Sequence, residues 1–260
     1  MTILFKIMNN QTNFLDLGEN ITGQDWVVGD IHGCYTLLEQ TLYYAGFNKT
    51  IDRLICVGDL IDRGPDSIKF LEYLKYPWFY SCMGNHEDMA IMALNGGTAT
   101  HWYANGGLWA SEQKDKNQEM LNALIALPYM IELKVNNKKV AICHAEFPIT
   151  EMTYDEIKDV LINSHNYPER GFNNIIMRMM WGRTRYSNNV HCPYVSGIDH
   201  MFHGHTILSK IRVKNNYSFI DQGAYTTNKL IVINICEYLN HLENPDNPRD
   251  GIYYDTIKLA

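Results

Sequence analysis

The sequence predicts a mixed α/β fold. Three observations carry that expectation. The amino half alternates apolar, β-prone runs with helical periodicity, the carboxyl half is dense in short strands, and glycine-containing polar motifs stand directly after the strands, where open α/β sheets place their sites. With 260 residues, 46% of them hydrophobic, the chain can bury a sizeable core. Nothing in its composition marks a linker, so residues 1–236 are expected to form a single domain and residues 237–260 a carboxyl-terminal extension.

Strand Trp26 to Val28 leads into a helical pattern from Thr36 to Ala45, whose apolar Leu37, Leu38, Leu42 and Ala45 share one face before Gly46 stops it. Strand Leu54 to Val57 and helix Ser67 to Leu74 repeat the step. Strand Trp78 to Met83 then feeds a helix from about His86 to Leu94, ended by Gly96-Gly97. This β-α-β-α-β-α order implies parallel strands with right-handed crossovers. A helix around Asn117 to Leu127 closes at Pro128, and Met130 to Val135 and Lys139 to Cys143 flank Asn136-Asn137-Lys138 as a hairpin. Met201 to His203, Ile211 to Lys214, Ser218 to Ile220 and Leu230 to Cys236 read as strands, with Asn215-Asn216 as the clearest turn. Residues 154–180 hold at least one helix, Tyr154 to Ile162, and a polar loop. This stretch and residues 97–118 are placed to cover a site. The tail from Glu237 onward, with Pro245 and Pro248, reads as irregular or loosely attached.

A net charge of −7 without a lysine or arginine block argues against nucleic acid, because phosphate-backbone binding needs a clustered basic face. Six cysteines, none in a C-x-x-C pair, fit a reduced, cytoplasmic compartment. Residues 1–20 lack the features of a secretory signal, and no apolar run is long enough to span a membrane. A soluble protein is expected. Its oligomeric state is not legible.

The chemistry lies in an ordered series: Gly29-Asp30-Ile31-His32-Gly33, Gly58-Asp59-Leu60-Ile61-Asp62-Arg63-Gly64 and Gly84-Asn85-His86-Glu87, then His144 and Gly204-His205. Divalent metals that activate water take oxygen and imidazole ligands, preferably with one carboxylate shared between two ions. Asp30, His32 and Asp59 are expected to hold a first metal, and Asp59, Asn85, His144 and His205 a second, with Asp59 bridging. Two cations roughly 3.5–4 Å apart acidify a shared water and hold phosphate oxygens, so no covalent phosphoenzyme is required. His86 is the candidate general acid and Asp62 its orienting partner. Arg63 and Arg183 are the candidates to grip phosphate through paired guanidinium hydrogen bonds.

Taken singly, each piece has a bland reading. Gly and Asp are ordinary turn residues, and an isolated histidine is more often structural than a ligand. Three such motifs at successive strand ends, with two later histidines, are hard to obtain from turn chemistry alone. His101, His165, His191, His200 and His241 read as surface or loop histidines, and His203 is left open because it would share a strand face with His205. The run from His101 to Trp109 reads as core and cover. Met177, Met179 and Met180 beside Trp181 read first as packing, with the floor of a substrate groove as the alternative.

These motifs resemble the calcineurin-like metallophosphoesterases, specifically the serine/threonine phosphoprotein phosphatase branch and its bacteriophage lambda type. The resemblance runs over roughly residues 24–236 and includes Ile142-Cys143-His144-Ala145, Trp181-Gly182-Arg183, Gly204-His205-Thr206 and Asp221-Gln222-Gly223-Ala224. It implies two mixed β-sheets sandwiched between helices, and two divalent ions, manganese first with iron or zinc as alternatives. It also implies phosphoserine and phosphothreonine monoesters in phosphoproteins or phosphopeptides as substrates, with phosphotyrosine and aryl phosphates as possible additions. Two departures stand out. Met83 occupies a place where many relatives carry a phosphate-binding arginine, and the stretch from His144 to Trp181 is longer than in the lambda type. Gly58 to Pro65 overlaps the pattern of symmetrical diadenosine tetraphosphate hydrolases, which stands as the alternative enzyme. A non-catalytic scaffold is a third reading, and it predicts missing ligands, whereas all are present.

Overall fold

The computed structural model describes residues 12–148, 152–186, 192–244 and 253–255. Two mixed sheets face each other, flanked by helices. The five-stranded sheet holds β2 (Asp25–Val28), β3 (Arg53–Cys56), β4 (Phe79–Ser81), β10 (Ile231–Asn234) and β11 (Tyr253–Asp255), in the order β11-β10-β2-β3-β4. Its β2-β3 and β3-β4 pairs are parallel, as the β-α repeats predict. The six-stranded sheet holds β1 (Phe14–Glu19), β5 (Met130–Val135), β6 (Lys138–Ile142), β7 (His200–His203), β8 (Arg212–Lys214) and β9 (Tyr217–Phe219), in the order β1-β5-β6-β7-β9-β8.

Strand alternation explains how both faces of each sheet are buried. Val27, Ile55 and Ile233 lie in register and point at a matching row, Ile131, Ile142 and Phe202, on the other sheet. Their neighbours Trp26, Val28, Leu54, Cys56 and Val232 point the other way, into the helix-side core. The β5-β6 hairpin turns through Asn136 and Asn137, whose φ of 49° and 64° are the left-handed values a two-residue hairpin turn needs.

The helices are α1 (Tyr35–Ala45), α2 (Phe70–Tyr73), α3 (Asn85–Leu94), α4 (Thr100–Ala104), α5 (Asn117–Ile125), α6 (Tyr154–Ile162), α7 (Glu169–Trp181), α8 (Ala224–Thr227) and α9 (Ile235–Glu243). Gly46 ends α1 in the left-handed conformation, φ 75°. Residues 67–74, expected as one helix, begin with a 3-10 turn over Ser67–Lys69 before α2.

The carboxyl-terminal segment departs from expectation. Residues 237–243 are not irregular: they continue α9, which starts directly from β10 with the Asn234 side chain accepting the Glu237 N–H at 3.2 Å. Ile235, Tyr238 and Leu239 form its buried face, and β11 pairs antiparallel with β10. His200 and His241, expected at the surface or in loops, are also buried. His200 faces Ser218 Oγ across β7 and β9 at 2.8 Å, and burial pushes its pKa down to about 3, so it is neutral. His101 and His165 are exposed, and His191 lies outside the described residues.

Candidate metal centre

The site sits on one rim of the sandwich, where both sheets end. Asp30 and His32 follow β2, Asp59 follows β3, and Asn85 and His86 open α3 after β4. His144 follows β6 and His205 follows β7, so the two later histidines arrive from the other sheet.

The loops that carry these side chains are bent hard. Nine described non-glycine residues have positive φ: His32, Asp59, Asp62, Arg63 and His205 at the site, and four asparagines elsewhere. Asparagine tolerates that region, whereas histidine and arginine there signal backbone held against its preference by its surroundings. Two glycines leave room for ligands. A Cβ on Gly204 would lie 1.9 Å from Asp30 Oδ1, and one on Gly84 would lie 2.2 Å from Asp59 Oδ1.

Asp59 is central. Its Oδ2 lies 3.5 Å from His32 Nε2 and its Oδ1 lies 3.4 Å from His144 Nε2, so each oxygen faces a different histidine. The ligand atoms form two overlapping groups, His32-Asp59-His86 and Asp59-His144-His205. Asn85 Oδ1 joins the second, 3.0 Å from His144 Nε2 and 2.7 Å from His205 Nδ1. Asp30 stands outside both groups and accepts the His205 backbone N–H at 3.0 and 3.2 Å. Burial, with Asp221 and Asp59 nearby, raises the Asp30 pKa well above the ordinary carboxylate value. Burial would raise Asp59 as well, but His144, His86 and His32 around it hold the carboxyl well below the ordinary range.

This donor set fits cations. His144 Nδ1 is 3.2 Å from the Val57 carbonyl and His32 Nδ1 is 3.0 Å from that of Ile61. A carbonyl only accepts, so each Nδ1 carries the proton and each Nε2 turns a lone pair inward. Around His144 Nε2 lie Asp59 Oδ1, Asn85 Oδ1 and, at 3.2 Å, His205 Nδ1. Four electron-pair donors meeting with at most one shareable proton call for a positive ion. Burial lowers His32 to about 3 and, with His144 beside it, His205 to about 2, so both are neutral at ordinary pH, the form that can bind a cation.

His86 Nδ1 lies 2.6 Å from Asp62 Oδ2. Burial alone would lower the His86 pKa, but Asp59 and Asp62 outweigh it and raise it. Asp62 in turn accepts the indole N–H groups of Trp102, at 2.9 and 3.0 Å, and Trp109, at 2.8 Å. Burial raises its pKa against the lowering pull of His86 and the two indoles. The aromatic run read as core and cover thus holds the carboxylate that faces His86. Its sequence signal is only a pair of tryptophans, which packing explains equally well. Glu87 also went unassigned. It is fully buried, and its carboxylate accepts the N–H groups of Asp59 (2.9 Å), Leu60 (2.9 Å) and Gly84 (2.8 Å), locking two ligand loops together.

Arg63 Nη1 reaches His32 Nε2 at 2.9 Å while its guanidinium lies 4.7 Å over the Tyr225 ring. Arg183 is exposed, two residues past Trp181, whose ring centroid is 6.5 Å from that of His205. Met83 is buried in the helix-side core. His203 is buried too. Its ring lies against Tyr217 and Phe219, and Nδ1 is 3.1 Å from the Cys143 carbonyl. His205 escapes that face because it follows the strand end with φ 66°.

Residues 26–208 match the calcineurin-like phosphoesterase family. The chain belongs to that family. Among relatives of this calcineurin-like protein, serine/threonine-protein phosphatase 2 of Salmonella typhimurium is 34% identical over 225 residues, covering 84% of this chain and 95% of the relative. Serine/threonine-protein phosphatase 2 of Escherichia coli is 36% identical over 209 residues, covering 79% and 89%. A symmetrical bis(5'-nucleosyl)-tetraphosphatase of Photorhabdus laumondii is 34% identical over only 110 residues, 42% of this chain and 34% of the relative. In fold, a protein serine/threonine phosphatase from Saccharomyces cerevisiae superposes with TM-score 0.63 at 15% identity, covering 98% of this chain and 87% of its own.

Proposed function

We propose that the protein is a metal-dependent serine/threonine phosphoprotein phosphatase working with two divalent ions, manganese by preference. The observation that carries this reading is Asp59, whose two oxygens face His32 and His144 separately while a His86-Asp62 pair closes the same pocket. Near full-length likeness to two bacterial protein phosphatases supports the substrate class.

Asp30, His32 and Asp59 would hold one ion, and Asp59, Asn85, His144 and His205 the other. The ions, when bound, supply water activation and neutralise phosphate charge. The rest falls to this chain's own residues. His86 Nε2 is the proton donor to the leaving-group oxygen, with Asp62 fixing the ring and stabilising its charge. Arg63 and Arg183 would receive the phosphate oxygens. Arg63 would leave His32 Nε2 for the substrate once that lone pair is engaged. Six free thiols, four of them buried, support a reducing compartment such as the cytoplasm.

Chelator-stripped protein should release no phosphate. Reloaded with manganese, it should act on a phosphoserine or phosphothreonine peptide faster than on diadenosine tetraphosphate at equal concentration. Nucleotide cleavage with an inert peptide would reject the assignment in favour of the tetraphosphatase reading, which has the shorter sequence matches behind it.

A further inference from the structure

The outer face of α7 is only partly covered, by Asp88 and His101 at Trp181 and by Glu146 at Arg178, and it leads to the candidate metal centre. Phe172, Ile175, Ile176, Met179 and Met180 turn inward and are buried. The opposite face, Gly171, Asn174, Met177, Arg178 and Trp181, lines an open groove of about 750 Å3 that ends at Arg183. Those residues follow the i, i+3, i+4, i+7 spacing of a single helix face. Met177, 49% exposed, is thus the exception among three neighbouring methionines.

Continuity with the site is direct, because Trp181 is shared: one side lines the groove and its ring edge faces His205. The groove's cations are Arg178 and Arg183. Arg178 is anchored at one nitrogen, 3.6 Å from Glu146, and its side chain remains 50% exposed. Glu146 is buried, with its oxygens also taken by the Thr184 N–H, the Thr184 hydroxyl and the Arg185 N–H. It therefore holds Arg178 and the backbone that follows Arg183, while its own charge is turned away from solvent. Two guanidiniums on one groove of a protein of net charge −7 form a local field of the opposite sign.

We propose that this groove is the subsite for the chain flanking the phosphoamino acid, and that it selects acidic flanks. The proposal rests on the phosphoprotein phosphatase reading and specifies the substrate within it. From Gly171 to Trp181 the helix rises about 15 Å at ~1.5 Å per residue. An extended peptide covers that length in roughly four or five residues. Arg178 stands about 4.5 Å of helix rise before Trp181, one to two residues of extended chain, so acidic side chains about two and three positions from the phosphorylated residue would lie beside it, and an apolar side chain would rest on Met177.

The test uses manganese-loaded protein and phosphoserine peptides with two glutamates or two lysines two and three positions away, on either side. On one side, kcat/KM should favour glutamate by about tenfold, the scale of two exposed ion pairs set against two repulsive ones. Arg178→Glu should collapse or invert that ratio. Asn174→Glu, which leaves the Arg178-Glu146 contact intact, should reduce it. Wild-type ratios within twofold on both sides, or a preference that neither substitution moves, would overturn the groove's role while para-nitrophenyl phosphate turnover kept the phosphatase reading intact. No turnover of that small substrate or of any peptide would overturn both.

Discussion

Asp62 shows how much of a buried carboxylate's setting belongs to its neighbours. One carboxylate faces an imidazole and two indole N–H groups. Each hydrogen bond to a charged, buried acceptor is worth about 1.5–3 kcal/mol. Trp109→Phe keeps a smaller aromatic ring and removes one of them, which should loosen Asp62 and through it the His86 ring. We expect kcat to fall about tenfold on alkyl phosphates and far less on para-nitrophenyl phosphate, whose leaving group needs no proton. His86→Asn should show the same selectivity with a loss of about 10²–10⁴-fold on alkyl substrates. Equal losses on both substrates in Trp109→Phe would show that Trp109 acts on stability alone. The convergence of the candidate ligand and acid residues was legible because they stand in motifs, whereas Trp102 and Trp109 reach Asp62 across some forty residues, a contact no local pattern announces.

At the scale of elements, the first turn of α3 works as a clamp on the loop after β3. Glu87 offers one oxygen to the N–H groups of Asp59 and Gly84 and the other to that of Leu60. Glu87→Gln keeps the shape but replaces an acceptor by an NH2, so at least one buried N–H loses its partner, at a cost of about 1–3 kcal/mol. Denaturant unfolding should register that loss, and manganese affinity should fall with it. An unchanged midpoint together with unchanged affinity would dismiss the clamp. Elements were legible where periodicity and stop signals agree, as in α1 with Gly46 and α6, whose bounds Tyr154–Ile162 match the expected ones. β1 was missed because its half-exposed residues carry no clean alternation. α9 was misread because it leaves β10 without a turn, so one apolar run serves strand and helix in succession. Its signal was the Asn234 cap three residues before Glu237, hidden inside a segment that looked like strand.

Across the whole molecule, the two half-sites differ in what supports them. Asp30, His32 and Asp59 all hang from the five-stranded sheet, while Asn85 from that sheet must meet His144 and His205 from the other. The second half-site therefore depends on how the sheets are spaced, and that spacing is set by the row of Val27, Ile55, Ile131, Ile142, Phe202 and Ile233 between them. Phe202 is fully buried in that row, at the end of the strand that leads to His205. Phe202→Leu removes volume there and should cost roughly 1–2 kcal/mol. Because tightly packed layers shift together when volume is lost, the displacement should fall on His205 and His144 and spare His32 and Asp59. Calorimetric titration with manganese should then show one ion bound nearly as in the wild type and the other weakened several-fold. If both ions weakened in parallel, the spacing between the sheets would not be what distinguishes the two half-sites, and Asp59, common to both, would be the element that Phe202 disturbs.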